Sequence, residues 1–209
     1  VFHIVHMYRL FPELHLDLLC HGPIERGRDA SNGGVEYVNL CVDGSGLATV
    51  ADSFAALELH VEKEGRFTWP QIMACLDSNW EGAEGERARL MMRRIPRYGS
   101  GGSRADHFAQ QVSGTFTALV KEKPTPKGFT MVPGLFSWAA NLLLGKDVGA
   151  TPNGRRAKEM ISHGPNPDPG FRKDAAPTAL ARAVAAVQPG YGNTAPMQLE
   201  LDPGVSRSE

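Results

Sequence analysis

A histidine in a loop rich in glycine and proline is the residue of this sequence best suited to acid–base chemistry. His163 lies in residues 162–167, whose sequence is SHGPNP. An imidazole exchanges protons near neutral pH and hydrogen-bonds oxygen atoms, so it can act as a general acid or base or hold a substrate oxygen. Ser162 and Asn166 add two polar side chains to this loop. A histidine that stands alone is more often structural or exposed, and both interpretations stay open.

Residues 151–155, with the sequence TPNGR, are typical of a turn and end in the guanidinium group of Arg155. Proline fixes φ at the first corner, and Asn-Gly tolerates positive φ at the next. We expect Arg155 and Arg156 to lock neighbouring loops through forked hydrogen bonds to carbonyls or carboxylates. Direct contact with a substrate is the less favoured alternative. Thr151, Gly154 and Arg155 are therefore assigned to a structural motif.

The segment at residues 98–103, YGSGGS, precedes a predicted helix. Backbone amides at a helix start can hold an anion. The segment is not a Walker A loop, because no Gly-Lys-Ser/Thr follows it. A flexible surface loop is the favoured interpretation.

The three cysteines, Cys20, Cys41 and Cys75, are too few and too irregularly spaced for a disulfide framework. They favour a reducing, cytoplasmic setting. All three are interpreted as small core residues, with Cys41 in a strand and Cys75 in an amphipathic helix. His3 and His6 can share a helix face but lack further clustered ligands, so no metal site is predicted.

Composition narrows the classes of function. A formal net charge of -1 argues against a general nucleic-acid binder. No apolar run is long enough to span a membrane, and the N-terminus lacks the pattern of a signal peptide. The sequence does not begin with methionine, and we expect it to start within a longer protein.

Hydrophobic periodicity predicts an α/β fold. The predicted helices cover residues 14–24, 47–63, 68–80, 84–92, 104–121, 138–144 and 178–187, with Thr68 as an N-cap. The predicted strands cover residues 35–42, 129–136 and 197–201. Asp52 and Ser53 fall inside the second helix among apolar neighbours, which favours a buried hydrogen bond from helix to loop.

Six short segments, taken in order, resemble segments of the glycyl radical enzymes, of the pyruvate formate-lyase and glycyl radical dehydratase/lyase type. They are ERGRDASNGG at 25–34, VADSFAAL at 50–57, NWEG at 79–82, PRYG at 96–99, GATPNGRRA at 149–157 and GPNP at 164–167. Each match is weak alone, but six in order are specific, and further matches extend the resemblance from about residue 16 to 203. The resemblance adds Asn32, Gly33, Gly34 and Asp52 to the structural motif. The chain departs from the family at residues 100–102, where acidic side chains are usual.

The resemblance implies that residues 1–209 form a single partial domain, about half of an α/β barrel of strands with surrounding helices. The reactive cysteine loop of the family would lie upstream of this sequence, since the residues that follow Cys20 do not match that loop. The glycyl radical loop would lie downstream, since residues 187–191 match the glycyl motif only faintly. The chain would therefore bind no cofactor itself. A radical-SAM activating enzyme would install the glycyl radical elsewhere in the protein.

The implied activity is radical cleavage of a C–C, C–O, C–N or C–S bond in a small organic substrate. The dehydratase, decarboxylase and lyase branch is favoured over formate C-acetyltransferase, and the chain alone would be inactive. The loop carrying Ser162, His163 and Asn166 would border the substrate. The implied partners are the rest of the enzyme or a complementary subunit, the activating enzyme and further copies in a homo-oligomer. A non-catalytic binding or assembly module and a truncated gene product remain alternatives.

Overall fold

The computed structural model describes residues 6–122, 128–172, 177–190 and 192–199, and all structural statements concern these residues. Helices dominate this part of the chain. The helices are Leu14–Leu19 (α1), His21–Arg26 (α2), Leu47–Leu57 (α3), Trp69–Asp77 (α4), Gly82–Met92 (α5), Arg104–Glu122 (α6), Ala140–Asp147 (α7) and Pro177–Ala186 (α8). The strands Asn39–Asp43 (β1) and Thr130–Gly134 (β2) pair in a two-stranded parallel sheet. The fold is thus mixed α/β.

The predicted helices are confirmed, except that the one at 14–24 is two short helices separated by the extended Cys20, the second of which runs through Gly22 and Pro23. The strands are shorter than predicted. The pattern at 47–63 is continuous, but α3 changes at Glu58–Lys63 into a π-helical segment. The predicted N-cap Thr68 is confirmed and forms a reciprocal capping box with Gln71. The predicted strand at 197–201 is wrong over residues 197–199, which form no strand, and its last two residues lie outside the described part.

The chain divides into two compact units, each described here by itself. This division does not test the prediction of a single partial domain. Unit 1 comprises Val1–Val42 and Val120–Val132, and unit 2 comprises Asp43–Leu119 and Pro133–Glu209.

Two carboxylates organise unit 1. Asp29 accepts hydrogen bonds from the backbone N–H of Ser31 and of Glu13, each at 2.8 Å. Asp17 accepts from the backbone N–H of Ala30 at 2.8 Å. Burial raises the pKa of Asp29, but the hydrogen bonds from Ser31 and Glu13 outweigh it and hold the pKa below its ordinary value. Backbone donors that would be left without partners are thereby satisfied.

Asn32, Gly33 and Gly34, which the resemblance assigns to a structural motif, lie in a tight turn of unit 1. Gly33 has φ +87°, a conformation that favours glycine. A side chain on Gly34 would collide with the backbone carbonyls of Arg28 and Asp29. Both glycines of this motif are therefore required by the local backbone.

The core of unit 2 is built on α3, which contributes Leu47 and the three small residues Ala48, Ala51 and Ala55. These residues pack in one cluster with Tyr98, Ala105, Ala109, Leu135, Ala183 and Val187. A second cluster surrounds the fully buried Trp80 and includes Ile72 and Met92. The short alanine side chains let neighbouring backbone approach α3, and this proximity places loop groups within reach of its polar side chains.

Candidate functional site

Helix α3 carries a buried polar stripe within the core of unit 2. Thr49, Asp52 and Ser53 are 4%, 1% and 7% exposed. The Asp52 carboxylate accepts from the backbone N–H of Tyr98 and from Nε of Arg97, both at 2.8 Å. This is the predicted hydrogen bond from helix to loop, and it is confirmed. Burial raises the pKa of Asp52 to about 6, although the charge of Arg97 opposes the shift.

Arg97 also joins Asp52 to a second carboxylate. Its Nη2 lies 3.3 Å from Oδ2 of Asp168, so two carboxylates share one guanidinium. Burial raises the pKa of Asp168 despite the opposing charges of Arg97, Arg155 and Arg93. The sequence did not predict this pairing, because no local pattern connects residues so far apart in the chain.

Ser53 connects α3 to the TPNGR turn. Its hydroxyl donates to the Thr49 carbonyl at 2.6 Å and accepts from the Asn153 backbone N–H at 3.1 Å. Gly154 has φ +84°, and a side chain there would run into Arg93. The turn therefore needs glycine for both its backbone conformation and its packing.

Arg155 uses all of its donor groups within the chain. Nε donates to the Thr151 hydroxyl at 3.2 Å. Nη1 and Nη2 donate to four backbone carbonyls, those of Arg156, Glu159, Val148 and Gly149. The predicted locking of loops by forked hydrogen bonds is confirmed. A residue that is 7% exposed and fully engaged in this way is a structural clamp.

The NWEG segment packs against the same turn. The buried indole of Trp80 donates to the Arg155 carbonyl at 3.2 Å. Arg156 donates to the Asn79 carbonyl at 2.9 Å and pairs with Glu86 at 2.7 Å. Asn79 and Trp80 have φ of +55° and +63°, which is uncommon for residues with side chains. Their backbone is held in place by the contacts with 155–157.

The glycine-rich loop at 99–103 does not offer its amides to an external anion. The carboxylate of Asp106 accepts from the backbone N–H of Gly99, Gly101 and Ser103 at 2.7–3.0 Å. Asp106 N–H in turn donates to the Ser103 hydroxyl at 3.0 Å. The anion-binding alternative is therefore wrong, and the loop is tethered rather than freely flexible. The spacing Ser-x-x-Asp, a capping-box pattern, was the available signal.

The structure directs two of the three predicted substrate-binding side chains toward the chain itself. Ser162 is 2% exposed, and its hydroxyl accepts from the Thr49 backbone N–H at 3.1 Å. Asn166 is 5% exposed and donates to the carbonyls of His163 and Pro196. His163 is half-buried. Contact of these residues with a substrate stays a prediction.

The cysteines are less buried than the sequence suggested. Cys41 is exposed, and Cys20 and Cys75 are half-buried. The interpretation of Cys41 as a core residue is wrong, because it lies on the outward side of β1. Gly190, the glycine of the faint glycyl-loop match, is exposed as well.

Within residues 6–122, 128–172, 177–190 and 192–199, no group of three or more His, Cys, Asp or Glu side chains is arranged to hold a metal ion. Within the same ranges, no helix is long and apolar enough to cross a membrane.

The family model described as pyruvate formate lyase-like matches residues 1–145, more than half of the chain. The chain belongs to the pyruvate formate lyase-like family of the glycyl radical enzyme superfamily. The chain is 29% identical over 162 residues to trans-4-hydroxy-L-proline dehydratase of Clostridioides difficile, covering 78% of this chain and 20% of the relative. It is also 29% identical over 164 residues to (2S)-3-sulfopropanediol dehydratase of Klebsiella oxytoca, covering 77% of this chain and 20% of the relative.

The fold of this family member is shared with solved structures. A structure concerned with 1,2-propanediol dehydration in Roseburia inulinivorans superposes with a TM-score of 0.80 at 30% identity, covering 88% of this chain and 24% of that one. Homologues of the chain include glycyl radical dehydratases, lyases and a decarboxylase. The chain spans about a fifth of the length of the curated relatives it matches. The TPNGR turn lies beyond residue 145 and therefore outside the family-model match.

Proposed function

We propose that this chain is part of a glycyl radical enzyme that cleaves a C–O, C–S, C–N or C–C bond of a small organic substrate, in the dehydratase and lyase branch. The fold similarity at a TM-score of 0.80 and 30% identity carries the proposal. The clamped TPNGR turn supports it, because Arg155 of the segment that resembles the family donates all of its N–H groups within the chain. Formate C-acetyltransferase activity is the less favoured alternative within the family.

The chain by itself is inactive under this proposal. The resemblance places the reactive cysteine and the radical glycine outside the sequence, and the exposed Cys41 and Gly190 do not replace them. Radical chemistry of this kind requires a site from which water is excluded. The glycyl radical would be installed in the complete cytoplasmic enzyme by a radical-SAM activating enzyme.

The remainder of the enzyme, in the same chain or in a complementary subunit, is the partner that we propose. Large apolar side chains are exposed in both units. In unit 1, Leu18 and Leu19 of α1 are 73% and 83% exposed, and in unit 2, Leu143 of α7 is 63% exposed. Exposed apolar surface on this scale is typical of an interface. Further copies in a homo-oligomer are proposed for the complete enzyme.

His163 is the substrate-contacting side chain that we propose for this part of the enzyme. The amide of Asn166 is oriented by the backbone N–H of Gln198, which donates to its Oδ1 at 2.8 Å. Nδ2 of Asn166 donates to the carbonyls of His163 and Pro196 and lies 3.4 Å from Nδ1 of His163. Each ring nitrogen of a neutral imidazole is a donor or an acceptor according to the tautomer. His163 can therefore hydrogen-bond a substrate oxygen through Nε2, as a donor or as an acceptor.

The test uses a chimera in which this chain replaces the matching quarter of the Roseburia inulinivorans protein. We expect the activated chimera to carry an organic radical doublet in electron paramagnetic resonance and to turn over 1,2-propanediol. We expect the 209-residue chain alone to show neither. An Arg155→Ala chimera is the matched control, because it breaks the clamp without touching the proposed contact.

Two results would contradict the proposal. One is a radical doublet located on the isolated chain. The other is a folded chimera with a normal radical yield that converts none of 1,2-propanediol, glycerol and trans-4-hydroxy-L-proline.

A further inference from the structure

The loop at residues 162–168 is fixed directly to α3 at its first residue. The backbone N–H of Ser162 donates to the Thr49 hydroxyl at 3.0 Å, and the backbone N–H of Thr49 donates to the Ser162 hydroxyl at 3.1 Å. The Ser162 carbonyl also accepts from the backbone N–H of Gly46 at 3.1 Å. Ser162 and Thr49 are 2% and 4% exposed, so water does not compete for these bonds. The start of the loop is thus anchored by buried, uncharged groups.

The end of the loop is attached to the same helix through an ion pair. Asp52, three residues after Thr49 and on the same face of α3, accepts from Nε of Arg97 at 2.8 Å. Nη2 of Arg97 lies 3.3 Å from Oδ2 of Asp168, the last residue of the loop. We call Asp52, Arg97 and Asp168 the carboxylate bridge. Unlike the first attachment, it reaches the loop through charged side chains only.

An open cavity of about 400 Å³ lies beside the carboxylate bridge. Arg97 and Asp168 line it, together with Arg93 and Arg155. Side chains that border a cavity lack packing contacts on that side, so the ion pair has the larger part in placing Asp168. The surrounding charges favour the same arrangement, since Arg97, Arg155 and Arg93 all attract the Asp168 carboxylate.

His163 lies between the two attachments, in a stiff stretch of backbone. The backbone N–H of Asn166 donates to the His163 carbonyl at 3.0 Å, which closes a turn. Pro165 and Pro167 flank Asn166, and their rings fix φ at both positions. A stiff segment moves as a body, so a displacement of Asp168 should be carried to the imidazole.

We propose that Arg97 and Asp168 are positioning residues for His163, which act by fixing the end of the loop that carries it. The inference rests on the proposed function for the role of His163 in turnover. The placement of the loop depends on the described residues and can be measured on the chain itself. Under this proposal, Arg97 and Asp168 influence a substrate only through His163.

Hydrogen exchange of the isotope-labelled chain, followed by nuclear magnetic resonance, tests the placement of the loop. We expect Asp168→Ala to speed exchange of the Asn166 and Phe171 amides about tenfold relative to the Thr49 and Ser162 amides. The first two amides lie near the carboxylate bridge, and that of Phe171 donates to the Asp168 carbonyl at 3.2 Å. The other two form the direct anchor. Global destabilisation would instead speed all four alike.

Further variants separate the ion pair from the mere presence of a side chain. Asp168→Asn keeps an oxygen that can accept from Arg97, and its exchange ratio should stay within about threefold of the unchanged chain. Glu159→Ala is the matched control, because its exposed carboxylate lines the same cavity and bonds a backbone N–H outside the loop. The Tyr98 hydroxyl, 2.8 Å from the Pro165 carbonyl, remains in every variant, so we expect loosening of the loop and not its release. If Asp168→Ala does not fold, Asp168→Ser takes its place, since a serine side chain is too short to reach Arg97.

A double variant in the chimera tests the action through His163. Asp168→Ala should lower kcat/KM by about threefold or more at a normal radical yield, because the imidazole is misplaced. Asp168→Ala added to His163→Ala should lower kcat/KM no further, since the two residues act as one unit. A residue with a merely structural role would lower kcat/KM by the same factor in both backgrounds.

The outcomes separate this inference from the proposed function. An unchanged exchange ratio in Asp168→Ala, or an equal change in Glu159→Ala, overturns the carboxylate bridge as the attachment of the loop. An effect of Asp168→Ala on kcat/KM that persists without His163, or no effect at all, overturns its action on His163. If the chimera carries the radical but turns over no substrate, the proposed function fails, and the exchange ratios still decide whether the bridge places the loop.

Discussion

Arg155 and His163 lie in the same unit and differ in how far the chain uses their hydrogen-bonding capacity. Every donor group of Arg155 is engaged with carbonyls or a hydroxyl of the chain. The His163 ring has one polar neighbour among the described residues, Nδ2 of Asn166 at 3.4 Å from Nδ1. The comparison teaches that a charged side chain in a family motif can be wholly structural. The less engaged imidazole in the neighbouring loop is the better candidate for binding.

Removal of the Arg155 clamp should have the largest effect on the free energy of unfolding. Arg155→Ala should lower the free energy of unfolding by about 3–5 kcal/mol, because it removes the donors of four backbone carbonyls and of the Thr151 hydroxyl and leaves a cavity at a buried position. Arg155→Lys should recover little, since an ammonium group cannot reproduce the planar fork. Urea unfolding measures both, with the exposed Arg87→Ala as the control. A loss below about 1 kcal/mol for Arg155→Ala would contradict its structural role.

Asp52 is buried on α3, and its protonation should change the free energy of unfolding between pH 3.8 and about 6. Its pKa is raised from 3.8 to about 6, so between these values the folded chain binds the proton more tightly than the unfolded chain. The contribution is fully present below pH 3.8 and is lost as the pH rises through about 6. The size is at most about 3 kcal/mol.

Comparison with the Asp52→Asn variant isolates the contribution of Asp52 to the pH dependence of stability. The unfolding free energy of Asp52→Asn should depend less on pH across this window than that of the unchanged chain, and the exposed Asp77→Asn should behave like the unchanged chain. Other carboxylates, such as Asp29, titrate in both proteins and cancel in the difference. Equal pH dependence in the unchanged chain and in Asp52→Asn would show that folding does not shift the pKa of Asp52.

Replacement of His163 should affect catalysis more than stability, whereas replacement of Arg155 should mainly affect stability. His163→Ala should change stability little, because the side chain is half-buried and its one hydrogen bond is long. In the chimera it should reduce kcat/KM by roughly five- to hundredfold, the effect of losing one hydrogen bond to substrate. Radical yield, kcat and KM are measured separately. Unchanged kinetics for the variants of His163, Ser162 and Asn166 alike would leave the loop as scaffold.

Local signals in the sequence predicted much of this arrangement. Helical periodicity located α3 and α6, and the Thr68 capping box marked the start of α4. The pairing of Arg97 with Asp168 could not be predicted, because it depends on how distant loops meet around α3. Strand lengths were overestimated because apolar alternation continues past the two strands that pair.

The smallest expected effects concern the cysteines. Cys41 is exposed on β1, so Cys41→Ser should change the free energy of unfolding by no more than about 0.5 kcal/mol. Cys20 and Cys75 are half-buried, and their serine variants should lose roughly 1–3 kcal/mol at most. In the activated chimera, each variant should keep its turnover rate within about tenfold, because the proposed reactive cysteine lies outside this chain. Cys41 should also react fastest with a thiol reagent in the folded chain. Complete loss of turnover in a folded, radical-bearing Cys20→Ser chimera would instead place the reactive thiol in unit 1.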